Sequence, residues 1–103
     1  MSEVKQNIRL RFSKEADIRF ISHHDLMRVF ARALRRAGLP VAMSEGYNPR
    51  PRISLPAPLS VGHRGASEIA DVGLARWTRP AEVRSRLQAE LPEGIRVQSA
   101  EII

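Results

Sequence analysis

Ser22-His23-His24-Asp25 is the run that sets nucleophile, base and acid side by side. A Ser-His-Asp relay needs three side chains converging on one hydrogen-bonded line, whereas neighbours on one helical turn diverge by about 100°. As a metal site the run is also poor, because helical ligand pairs need spacings of three or four and adjacent histidines supply at most one ligand. The expectation is therefore a solvated His24 and a His23 packed under the sheet edge while bonding backbone. The catalytic alternative keeps His23 or His63 as a general acid or base, as in a metal-independent ribonuclease with His23 as base. There is no P-loop and no G-x-G-x-x-G, and the glycines at 62, 65 and 73 fit turns and a strand irregularity.

A second kind of chemistry lies in the arginines. Arg28, Arg32 and Arg35 recur at i, i+4 and i+7, and the segment Ser44 to Arg52 adds Tyr47, Asn48, Arg50 and Arg52. Planar guanidinium forks suit phosphate, and an aromatic ring on a proline-stiffened rim suits a stacked base, a pair of features that single-stranded or looped RNA requires. The familiar RNA-recognition sheet is missing, since no aromatic pair alternates on a central strand.

These side chains need elements to position them. Asn7 to Ser13 alternates Ile8, Leu10 and Phe12 against Arg9 and Arg11, the period of a half-buried strand. Lys14 to Asp17 reads as a turn and Ile18 to Ile21 as a short apolar return. Ser22 with Asp25 resembles a capping box, and Gly38 before Leu39-Pro40 is a stop signal, so Ser22 to Ala37 is predicted helical. On that helix Leu26, Met27, Val29, Phe30, Ala33, Leu34 and Ala37 form one stripe, with His24, Arg28, Arg32, Arg35 and Arg36 opposite. A short strand at Val41 to Ser44, a proline-rich rim and an extended Arg52 to Leu55 follow. After a turn at Gly62 to Gly65, Glu68 to Leu74 reads as a strand, Pro80 to Leu91 as a second helix and Ile95 to Ile103 as a last strand. Strand, helix, strand, strand, helix, strand is the order of an α+β, ferredoxin-like split βαβ sandwich: an antiparallel sheet with two helices on one face.

The chain of 103 residues suits a single domain over 1–103, and its 43% apolar content suffices for one core. Zero cysteines exclude disulfides, thiolate metal sites and a cysteine-held iron–sulfur cluster within it. No apolar run approaches the ~20 residues that cross a bilayer, and the reading is a cytoplasmic protein without a cofactor. Residues 1–62 hold eleven Lys/Arg and five Asp/Glu, 11 − 5 = +6, and residues 63–103 hold six of each, so the partner-seeking surface is expected in the first 62.

The runs Arg19-Phe20-Ile21-Ser22-His23-His24-Asp25-Leu26-Met27-Arg28, Arg32 to Pro40 and Ser44-Glu45-Gly46-Tyr47-Asn48-Pro49-Arg50-Pro51-Arg52-Ile53-Ser54 resemble the radical SAM-associated domain of uncharacterised bacterial proteins. That domain commonly shows I-S-H-L-D-L-x-R and G-[FY]-N-P-x-P-[RK]-I-S. His24 replaces a usual Leu and Arg50 a frequent His. Family domains continue past the point equivalent to Ile103, so the chain resembles the front half, as a fragment or a short member. The resemblance points to Ser22, His23, Asp25, Arg28, Gly46, Tyr47, Asn48, Pro49, Pro51 and Arg52. It implies an accessory role, since radical SAM chemistry itself needs three cysteines. The expected function is a non-catalytic RNA-binding module acting with a radical SAM or RNA-processing protein through Arg28, Arg32, Arg35, Tyr47, Asn48, Arg50 and Arg52. The alternative is a protein-interaction domain whose arginine face docks on an acidic patch of the radical SAM partner.

Overall fold

Alternation at period two makes Gln6–Lys14 the longest strand, β1, with Ile8, Leu10 and Phe12 fully buried and Arg9 and Arg11 turned to the other face. The computed structural model describes residues 3–56 and 68–103. The turn expected at Gly62 to Gly65, and with it His63, lies outside them. After β1 the chain forms a 3-10 turn over Ala16–Phe20 where an extended return was expected. Ala16 enters it at φ 54, and Gly94 packs so closely that a Cβ there would lie 2.8 Å from the Glu15 carbonyl oxygen. Ile18 is half buried in this turn, so the apolar signal of the segment reflects packing of a tight turn and not strand pairing.

Helix α1, His23–Arg36, begins where the side chain of Ser22 accepts a hydrogen bond from the Asp25 amide at 3.1 Å. It ends in a Schellman motif: Gly38, at φ 70, donates to the Arg35 carbonyl at 3.0 Å and Leu39 to the Leu34 carbonyl at 3.2 Å. Leu26, Phe30, Ala33 and Leu34 are buried, Met27, Val29 and Ala37 flank them, and Phe30 meets Phe12 edge-on at 4.9 Å between centroids. This packing fixes which way the helix faces, and so which way its arginines face.

The next strand is shorter than expected. Val41 and Met43 make only isolated bridges, to Leu74 and Pro51, and β2 is Ile53–Ser54. Prolines 40, 49 and 51 lack the amide donors that a longer ladder would need. The result is an arm, 41–52, closed by the Arg52 amide on the Ala42 carbonyl at 2.8 Å and the Ser44 amide on the Arg50 carbonyl at 2.7 Å. Its base clamps Gly73: the Ala42 amide donates to the Gly73 carbonyl and the Gly73 amide to the Arg52 carbonyl, each at 2.8 Å. A Cβ on Gly73 would stand 3.2 Å from Arg52 Cβ and from Val4, which gives that glycine its reason.

Strand β3, Glu68–Leu74, pairs antiparallel with β1 and β2; helix α2, Pro80–Glu90, follows, and β4, Ile95–Ile102, pairs antiparallel with β1. The sheet order β2-β3-β1-β4 is that of a ferredoxin-like α+β sandwich. Val83 and Leu87 of α2 join α1 in covering the face that carries Ile8, Leu10 and Phe12. Among the described residues no helix is long and apolar enough to cross a membrane.

Candidate functional site

The register of α1 leaves Arg28, Arg32 and Arg35 exposed along one side of the helix, and the arm folds back beside them. Between the two lies a groove of about 470 Å³. The helix lines it with Arg28, Ala31, Arg32 and Arg35, Leu39 follows after the helix stop, the arm adds Val41, Met43, Pro49 and Pro51, and no acidic side chain among the described residues enters. None of the three arginines has a carboxylate partner among the described residues. Three guanidinium groups facing an apolar, proline-stiffened wall make a place for an anion that also carries flat or apolar surface.

The remaining expected residues are distributed around this groove. Tyr47 is fully exposed at the tip of the arm, where Gly46 turns at φ 118, and Asn48 is exposed beside it. Arg50 is exposed on the arm, outside the groove lining; its amide donates to the Ser44 hydroxyl at 2.9 Å. Arg52 goes elsewhere. Because Ile53 pairs with Val72 and faces the core, Arg52 and Ser54 emerge on the helix-free face, beside Asp71 and Gly73. Arg52 therefore belongs to a different surface from Arg28.

His23 departs from expectation in its packing: it sits exposed in the first turn of α1, not under the sheet edge, because the burial stripe of that turn is completed by Leu26 one turn on. His24 and Asp25 are exposed too, and Ser22 is occupied as the cap. Among the described residues no group of three or more His, Cys, Asp or Glu side chains could hold a metal ion.

The helix-free face is also basic, yet it is differently wired. Arg9 forks onto Asp71 through two bonds of 2.9 Å, and Arg11 reaches Glu101 at 3.3 Å. The hydrogen bonds that Arg9 donates to Asp71, with the charge of that carboxylate, raise the pKa of the Arg9 guanidinium above its ordinary value.

Sequence reasoning passed over Trp77. It stands 68% exposed between Arg76 and Arg79, just before α2, and lines a second cavity of about 500 Å³ with both arginines. The signal was present as the spacing R-W-x-R ahead of Pro80, but a segment with neutral summed charge gave no reason to look there.

No curated protein and no solved structure matches the chain. The family described as an uncharacterized protein conserved in bacteria (DUF2344) matches residues 7–103, from β1 through both helices to the end of β4, and the chain belongs to that family.

Proposed function

We propose that the protein is a non-catalytic RNA-binding module whose phosphate-contacting surface is the groove between α1 and the arm. The observation that carries this reading is the row Arg28, Arg32 and Arg35, exposed, without carboxylate partners among the described residues, and lining one groove. Seven residues of helix rise about 10 Å, a length over which one strand of a duplex carries about three phosphates. Tyr47 and Asn48 at the arm tip supply a ring and an amide to an unpaired base, and the proline content holds the tip with little flexibility to lose on binding. The resemblance of the Ile21 to Arg28 and Gly46 to Ser54 runs to the radical SAM-associated domain supplies the second half of the proposal: the module presents RNA to a radical SAM or RNA-processing partner.

The test is a titration of labelled structured RNA, with duplex DNA and a polyanion as controls, at low and near-physiological salt. The expected result is a preference for RNA that survives the higher salt and is abolished by Arg28→Glu with Arg32→Glu, the fold remaining intact by circular dichroism. Equal, weak binding to all three polyanions, vanishing with salt, would overturn it.

One observation favours a second reading. Leu39, Val41 and Met43 give the groove an apolar side that suits a peptide segment as well as a base. In that case the groove docks the radical SAM partner directly, and the complex survives nuclease treatment.

A further inference from the structure

Trp77 has no evident folding duty. A ring of this size left two-thirds in water forgoes burial, and the chain has only one tryptophan. Its loop is nevertheless fixed. Gln6, 3% exposed at the start of β1, holds Thr78 like a strand partner: its side-chain amide donates to the Thr78 carbonyl at 2.9 Å and its carbonyl accepts from the Thr78 amide at 2.9 Å. On the other side of the cavity, Arg86 binds the Ala37 carbonyl through Nη2 at 2.6 Å and Glu82 through Nη1 at 3.3 Å, so its charge is already engaged. Arg76 and Arg79 are exposed and have no ion-pair partner among the described residues.

The cavity beside Trp77 and the α1 groove share a divide. Gly38 and Pro40 line one, Leu39 and Val41 the other, so alternate residues of the one segment that follows α1 separate the two. Charge complementarity and a flat exposed ring on a pinned loop together define the ligand: a base with free faces and its adjoining phosphate.

We propose that Trp77, flanked by Arg76 and Arg79, is a preformed stacking platform for an unpaired nucleobase at the single-stranded end of the RNA held in the groove. This rests on the RNA-binding reading above. Stacking of one base on one indole requires no chemistry of the base edges, so the platform distinguishes strandedness and not sequence.

The single tryptophan makes the test direct. A labelled hairpin RNA with a single-stranded tail, and the same hairpin with a blunt end, are titrated while tryptophan fluorescence and label anisotropy are read together. The expected result is quenching by the tailed hairpin alone; Trp77→Ala then weakens the tailed hairpin about tenfold, leaves the blunt one unchanged, and Trp77→Phe recovers part of the loss. Anisotropy that rises normally with no quenching, and a Trp77→Ala protein of unchanged affinity, would overturn the platform while leaving the groove reading in place. A dimer dissolved by Trp77→Ala, with RNA affinity intact, would assign the ring to self-association and also overturn it. Failure of both hairpins to raise anisotropy removes the RNA reading itself, and the platform with it.

Discussion

Two basic surfaces sit on opposite sides of one sheet, and they differ in what faces their arginines. On the helix-free face Arg9 and Arg11 are tied to Asp71 and Glu101; in the groove Arg28, Arg32 and Arg35 have no carboxylate among the described residues to answer them. All five come from the first 62 residues, whose charge is +6, yet the fold brings acids from the other end of the chain to only some of them. Glu68, Asp71, Glu90 and Glu101 neutralise Lys14, Arg9, Arg36 and Arg11 in turn. The neutral sum of residues 63–103 is thus deceptive. Its acids are spent across the sheet and between the helices, which leaves Arg76 and Arg79 uncovered beside Trp77. Charge arithmetic along a sequence locates cations; only tertiary pairing says which of them are free to bind.

The comparison breaks most visibly in the salt dependence of the RNA binding proposed for the groove. Replacing Arg28 and Arg32 by alanine is expected to weaken binding by at least about a hundredfold, at about 1.5–3 kcal/mol per charged hydrogen bond. It should also lower the log–log salt slope by about 0.7 for each phosphate that is no longer neutralised. Arg9→Gln with Asp71→Asn removes a pair of zero net charge, and should change neither affinity nor slope. If the two double variants behave alike, the pairing on the helix-free face does not decide which surface binds.

A smaller effect separates the groove from the Trp77 loop. Gln6→Leu keeps the volume of a buried side chain and leaves the Thr78 amide and carbonyl without their partner, at a cost of about 2 kcal/mol. For a domain of this size the melting temperature should fall by roughly 10 °C. Below the melting transition the tryptophan anisotropy should drop and the tailed hairpin should bind more weakly, with the blunt hairpin unaffected. Loss of stability without any change in the tailed hairpin would show that the pinned loop serves folding alone.

Much of this architecture is legible in the residues. Glu68–Leu74 is a strand at the bounds its pattern predicts, because both neighbours in the sheet impose the same period, and α1 is bounded by Ser22 and Gly38 as its cap and stop residues require. Local signals failed where a tertiary partner decides the outcome. Ile18 and Ile21 look like strand, but the close approach of Gly94 makes their segment a tight turn. At Val41 to Ser44 strand-forming side chains meet a ladder that prolines interrupt, so bridges form and a full strand does not. The groove was half legible: helical spacing put Arg28, Arg32 and Arg35 together, and the arm's prolines marked a rim. Arg52, expected with that rim, emerges on the helix-free face, and the alternation Arg52, Ile53, Ser54 carries this placement once Ile53 is recognised as packing against the core. Trp77 was invisible because its meaning depends on Gln6, seventy-one residues earlier in sequence, which nothing local connects to it.

The smallest effect concerns the run that looked most like chemistry. The Ser22 hydroxyl accepts the Asp25 amide at 3.1 Å, and Ser22→Ala should cost about 1 kcal/mol, a fall of roughly 4–8 °C in melting temperature. Ser22→Asp should restore it, since a carboxylate caps as well and favours the positive end of the helix. Neither change should alter RNA affinity appreciably, because Ser22 precedes Arg28 by well over a helical turn and lies outside the groove lining. The informative exception is a Ser22→Ala protein that melts normally but binds weakly. A hydroxyl that can be removed without cost to the helix is not acting as its cap, and its effect on binding would extend the binding surface past Arg28 to the exposed His23 and His24, adding a third region to the two compared above.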